Sequence, residues 1–293
     1  MNSDDSIIFT DAMNGIASGP GSQPAEGDGA ELDILQLPSG METYATPILP
    51  EPEQVAHLSA ARRRLQLVLQ QLQRWDAAGA NARIDLRDLD EDNRELVDQV
   101  MGEGEVSILF DADATLHIQE SVLTGVWRIQ QRNAANRVVN DAIEIGPIPA
   151  VVNRATFAHT AGAASEAPQQ IPGGVCNAPP LLAEINERIA AYQSGDAPYT
   201  INLTLLPQTE QDLLFLDRQL GQGTTTILSR GYGNCRITST ATRNVWWVQY
   251  FNSQDKNILN SLEICAVPEV ACAAPEDIAD SAERLAEILE IYQ

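Results

Sequence analysis

The sequence predicts an α+β protein: two tandem copies of a two-layer unit, helices packed on one face of a mostly antiparallel sheet, behind an acidic, largely disordered tail. Three observations carry this. The chain of 293 residues repeats itself at an offset of 119, so that Gly102, Gly104, Ile108, Trp127, Gln130 and Glu144 fall on Gly221, Gly223, Ile227, Trp246, Gln249 and Glu263. Upstream of a two-residue length change the offset is 117, and Val68, Leu72, Trp75, Ile84 and Leu86 fall on Ile185, Ile189, Tyr192, Ile201 and Leu203. Within each copy, helical periodicity precedes a run of alternating strands, which is the order of an α+β layer rather than of a parallel α/β sheet.

The tail comes first. Residues 1–50 hold acids, Gly and Pro without one Lys or Arg, the first cation being Arg62. Such a stretch buries too little apolar surface to offset its ordering entropy. One part of it, Leu35-Gln-Leu-Pro-Ser-Gly-Met41 with Tyr44 and Ile48, spaces apolar residues regularly, as an arm that docks on a body would.

Copy one spans 51–152. Leu58, Leu65, Leu69 and Leu72 share a helical face, with Val68 and Trp75 beside them. Ile84-Asp-Leu86 alternates as a short strand, and a second helix carries Leu96, Val97, Val100 and Met101 up to Gly102, a C-terminal stop. Strands are predicted over 106–110, 115–122 and 125–131. A linker with Pro168, Pro172, Gly173 and Gly174 covers 153–177. Copy two, 178–293, repeats the plan with strands at 225–229, 235–240 and 244–251 and with Gly231-Tyr-Gly233-Asn234 as turn chemistry. It closes with a helix that opens on Pro275-Glu-Asp277 and buries Ile278, Leu285, Leu289 and Tyr292.

Charge narrows the function. With 18 Lys+Arg against 41 Asp+Glu, the formal net charge is −23. Nucleic acid and anionic membrane surfaces both require extended cationic patches, and the cluster Arg62-Arg63-Arg64 is confined to part of one helix and reads as its solvated face. Apolar runs fall short of a membrane span, and the first residues lack the basic start of a signal peptide, so the expected location is the cytoplasm. The four cysteines are then expected as reduced thiols.

No catalytic constellation emerges. Gly102-x-Gly104 and Gly221-x-Gly223 end helices instead of opening them and lack a phosphate loop's further residues. Asp88, Asp90 and Asp92 imitate a calcium loop, but Asn93 and Gln99 stand where its glycine and bidentate glutamate belong. His57, His117 and His159 are scattered, and no Gly-x-Ser-x-Gly occurs. The protein is therefore read as a non-enzyme that needs no cofactor. Cys235, Cys265 and Cys272 remain a weak alternative metal set, since they form no Cys-x-x-Cys pair. What copy two adds is an aromatic and arginine ribbon: Tyr232, Arg236, Arg243, Trp246, Trp247 and Tyr250. Trp, Tyr and Arg dominate interface hot spots, so this ribbon is the candidate partner-binding surface. The adjacent tryptophans must point to opposite faces of their strand, and the face that is not core needs cover from a helix, the tail or another protein.

The strings Gly102-Glu-Gly-Glu-Val-Ser107, Ile118-Gln-Glu120 through Gly125-Val-Trp127, and Ile201-Asn-Leu-Thr204 with Leu206-Pro207 resemble one family. Glu263-Ile-Cys-Ala-Val-Pro-Glu-Val270, running into Ala274-Pro-Glu-Asp-Ile-Ala-Asp-Ser-Ala-Glu-Arg-Leu285, resembles it most specifically. It is the HupH/HyaF/HoxQ type of hydrogenase expression/formation protein. The resemblance covers about residues 35–293 and departs from the family's proline at Ala266. It implies a chaperone in the maturation of an uptake [NiFe] hydrogenase, with the small, iron–sulfur subunit precursor and its twin-arginine leader as partner and other hydrogenase accessory proteins as further candidates. It brings no catalytic residues. An iron–sulfur or metal carrier using the cysteines is the alternative.

Overall fold

The computed structural model describes residues 49–110, 116–135, 137–164, 170–231 and 233–292. The expected tail, apart from Leu49 and Pro50, lies outside them, as does Tyr232.

Each predicted helix and strand of copy one forms close to its expected place. A short α1 (Pro52–Val55) leads into α2 (Ser59–Arg74), β1 (Ala82–Asp85) and α3 (Glu91–Met101). Asp90, part of the false calcium loop, is the N-cap of α3 and accepts from the Asn93 N–H at 2.9 Å. Strands β2 (Val106–Phe110), β3 (Leu116–Glu120), β4 (Val126–Arg132) and β5 (Val138–Ile145) follow, then α4 (Ala150–Ala155). The second half repeats the order as α5 (Ala178–Ala191), β6 (Tyr199–Asn202), α6 (Glu210–Leu220), β7 (Gln222–Ser229), β8 (Asn234–Thr240), β9 (Val245–Phe251) and β10 (Asn257–Ile264). A last helix, α7, runs Pro275–Ile291. The sequence does not predict α1, β5, α4 or β10.

Gly102 and Gly221 end α3 and α6 with φ of 54° and 67°, the left-handed region that their role as helix stops requires. The β3–β4 turn meets the same demand with Gly125 at φ 79°, and the β8–β9 turn with Asn244 at φ 63°.

The ten strands make one antiparallel sheet in the order β1-β5-β4-β3-β2-β7-β8-β9-β10-β6. Each half is laid out in the same order outward from the middle, and β2 and β7 join the halves. On one face Val126, Ile143 and Ile145 meet Leu65, Val68 and Leu72 of α2, Leu96, Val97 and Val100 of α3, and Ile278, Leu285 and Leu289 of α7. Burying these side chains gives the largest stabilisation available to the fold, roughly 1.5–3 kcal/mol each.

Two features depart from a pair of simple two-layer units. The opposite face of the sheet is also covered: Ile108, Trp127, Ile227, Ile237 and Trp246 pack beneath Val152 of α4, Phe157 and Ala271. Rings as large as Trp127 and Trp246 cannot be left in water, and the segments after β5 and β10 provide the lid. The halves also exchange ends. Beyond α4, Ala161 bonds through its backbone to Ala241 and Arg243 of the second half. In return α7 crosses to the first half, where the Tyr292 carbonyl accepts from Arg62 at 3.1 Å, Ser281 Oγ donates to the Thr124 carbonyl, and the Tyr292 hydroxyl donates to the Pro50 carbonyl.

Candidate functional site

The β8–β9 ribbon brings together most of the residues singled out from sequence, but places them inside. Strand alternation sends Trp246 to the face it shares with Trp127 and Trp247 to the other. Trp246 has no exposed surface; its Nε1 donates to the Ala266 carbonyl at 3.2 Å, and Phe157 meets its ring edge-on, with centroids 5.2 Å apart. Trp247 is 8% exposed and donates from Nε1 to Asn260 Oδ1. Arg236 is buried with its guanidinium 5.5 Å from the Phe251 ring, and that burial lowers its pKa. Of the described ribbon residues only Arg243 is exposed, with Tyr250 half-buried. The chain itself covers both indoles.

The two halves differ pointedly beside this ribbon. Positions 128 and 141 of the first half correspond to 247 and 260 of the second. In the first they hold a buried ion pair, Arg128 to Asp141 at 2.6 Å, joined by Arg94 at 3.3 Å and by Asp98 of α3. In the second they hold the Trp247–Asn260 hydrogen bond. One location thus anchors the helical layer by charge in one half and carries a neutral indole–amide hydrogen bond in the other.

The thiols lie mostly in the apolar layer under the lid. Cys235 and Cys265 are buried, Cys272 is half-buried and Cys176 is exposed. Cys235 faces Tyr250 across the β8–β9 pair. Burial pushes both to about 12, although the Tyr250 hydrogen bond works the other way at the thiol. Burial likewise raises Cys272 to about 12 and lifts Cys265 well above the thiol range. Burial in the apolar layer thus disfavours the thiolate at all three. Among the described residues no group of three or more His, Cys, Asp or Glu is arranged to hold a metal ion.

Buried acids are not apparent from the sequence, and Glu120 is one of them. Glu120 closes β3 opposite Trp127, and its Oε1 accepts the Gly125 N–H at 2.9 Å. Burial raises it to about 7 despite that bond, with Glu105 and Asp277 adding repulsion. An acid at a strand end beside a turn looks solvated in sequence, and only the crossing of α7 shows otherwise. No helix among the described residues is long and apolar enough to cross a membrane.

Comparison with known proteins follows the internal duplication. The family described as "HupH hydrogenase expression protein, C-terminal conserved region" matches residues 58–166 and again residues 175–292. The chain is 48% identical to the hydrogenase expression/formation protein HoxQ of Cupriavidus necator over 94% of its own length and 95% of that protein's. It is 46% identical to the hydrogenase expression/formation protein HupH of Rhodobacter capsulatus, covering 94% and 96% of the two chains. With the hydrogenase-1 operon protein HyaF of Escherichia coli it shares 34% identity over 93% and 94%.

Proposed function

Because the chain belongs to the HupH/HoxQ/HyaF family of hydrogenase expression/formation proteins, an accessory rather than a catalytic family, we propose that it chaperones the small, iron–sulfur subunit precursor of an uptake [NiFe] hydrogenase in the cytoplasm before export. The observation that carries this reading is the family match over both halves of the fold, with near-complete coverage of relatives at 34–48% identity. Two physical features support it. The protein's charge of −23 suits a client with a basic leader. Its central thiols, Cys235, Cys265 and Cys272, are packed in the apolar layer beneath the lid, which favours a binder of the client over a carrier of the client's iron.

Anaerobic co-purification of the tagged protein with co-expressed precursor, followed by metal analysis of both, tests the reading. A complex with its iron on the precursor is expected. A protein that purifies alone and carries iron replaces the chaperone reading with cluster carriage through Cys235, Cys265 and Cys272. Equal capture of a leaderless small subunit removes the leader from the account.

A further inference from the structure

Where α7 crosses onto the first half it does not seal against α2. A groove of about 380 Å³ remains between them, its walls formed by Leu72 of α2 and Trp75 at its C-terminal cap, and by Ala279, Ala282 and Ala286 from α7. The three alanines recur on one face of α7, so that wall is shallow and apolar and has room for the side chains of another segment. The rim is charged in one sense along α7. Glu283 lines the groove, and Glu276, Asp280 and Glu287 are exposed along the same helix. Arg284, the one cation of α7, donates to the Val122 carbonyl at 3.1 Å. At the α2 end Arg74 and Asp76 are both exposed and flank Trp75 with opposite charges.

We propose that this groove binds a polypeptide segment in which arginine or lysine side chains stand next to a short apolar run, one segment per chain. Apolar side chains of the segment fill the alanine trough, and its cations meet the acidic rim and the Trp75 ring. Charge complementarity selects this occupant. The protein's own arm at 35–48 enters the described structure at Leu49, beside Tyr292 and the far end of α7, and is long enough to turn back. But the arm carries Glu42 and no cation, so the rim repels it. The single copy follows from the fold: Ile189 and Tyr192, which correspond to Leu72 and Trp75 in the second half, belong to α5, and α7 packs on α2 instead. Only the assignment of the segment to a hydrogenase precursor rests on the reading above.

The test uses the full chain and a fluorescein-labelled 14-residue peptide with two adjacent arginines followed by leucine and alanine. Its scrambled form and an Arg→Glu form are controls. Expected are 1:1 binding of the first peptide, at least tenfold weaker binding of both controls, and at least tenfold loss in Ala279→Arg and in the double variant E283K/E287K. Ala279, Glu283 and Glu287 are exposed, so melting curves of these variants should match the parent. Hydrogen exchange should slow at 72–75 and 279–286 when the peptide is added. Equal binding of the Arg→Glu peptide, or unchanged binding by both variants, overturns the proposal. So does faster exchange at 35–48 on peptide addition, which would make the arm the resident of the groove. Peptide binding here without precursor capture sinks the client reading and leaves the groove standing; precursor capture undiminished in both variants, with no peptide binding, does the reverse.

Discussion

Ile108 and Ile227 are the same residue of the repeat, 119 positions apart, and they are direct partners across the β2–β7 pair. Antiparallel pairing of equivalent residues places a pseudo-twofold axis through the middle of the sheet, normal to its plane. Both side chains are fully buried in the same cluster. The halves are thus joined as an isologous dimer is joined, by a patch that pairs with itself.

From that pairing, Ile108→Ala and Ile227→Ala should each cost about 2–4 kcal/mol, and by closely similar amounts. The double variant should depart from the sum by more than about 0.5 kcal/mol, because the two cavities touch. Urea unfolding of the three variants measures both quantities.

Glu120 should make the protein sensitive to alkali. Its folded pKa, about 7, lies above the ordinary carboxylate value, so the folded state holds this proton more firmly than the unfolded chain. The contribution is present at acid pH and is lost as pH rises through about 7. Glu120→Gln keeps an oxygen for the Gly125 N–H. It should leave melting at pH 5 nearly unchanged and stabilise the protein at pH 8.5 by about 1–3 kcal/mol.

Asp212 works in the opposite sense. Burial acts to raise it, but N–H groups of Thr209, Ala178 and Cys176 donate to its carboxylate and hold it at about 2. Its stabilisation is therefore complete at neutral pH and is lost as pH falls from about 4 toward 2. Asp212→Asn should cost about 1–3 kcal/mol at pH 7 and far less at pH 2, read from denaturant midpoints at the two values.

The thiols give a simple count. Ellman's reagent on the native protein at pH 8 should titrate Cys176 rapidly, with Cys235 and Cys265 reacting only after denaturant is added. Fast reaction of all four would show that the layer over Trp246 opens readily, and with it the ribbon that holds Trp247 and Tyr250.

Most of the layout is written in the sequence because the two copies report on each other. A glycine at 102 is ambiguous alone, but a second at 221 with the same helix before it marks a stop, and both take positive φ. β5 and β10 were illegible for a physical reason. Each carries polar residues where a strand should turn an apolar side chain inward: Asn140-Asp141 in one, Asn260-Ser261 in the other. Asp141 is tolerated inside only because Arg128 and Arg94 reach it, and those partners are distant in sequence. For the ribbon, composition could name the aromatic residues but not their cover. Phe157, which closes over Trp246, comes from the linker just after α4, and nothing local announces that crossing. The groove is hidden likewise, since its walls lie more than two hundred residues apart in the chain.

The crossing of α7 also sets an order of events. A ribosome delivers α2 and α3 well before the helix that packs beside α2, which is made only after all ten strands of the sheet. Until it arrives, the first-half core stays open to water along that flank, with Leu65 and Leu72 awaiting cover from Leu285 and Leu289. A chain released before α7 is made has every strand of the sheet and still cannot close its earliest part. Translation of the second half is thus what licenses the first half to finish folding.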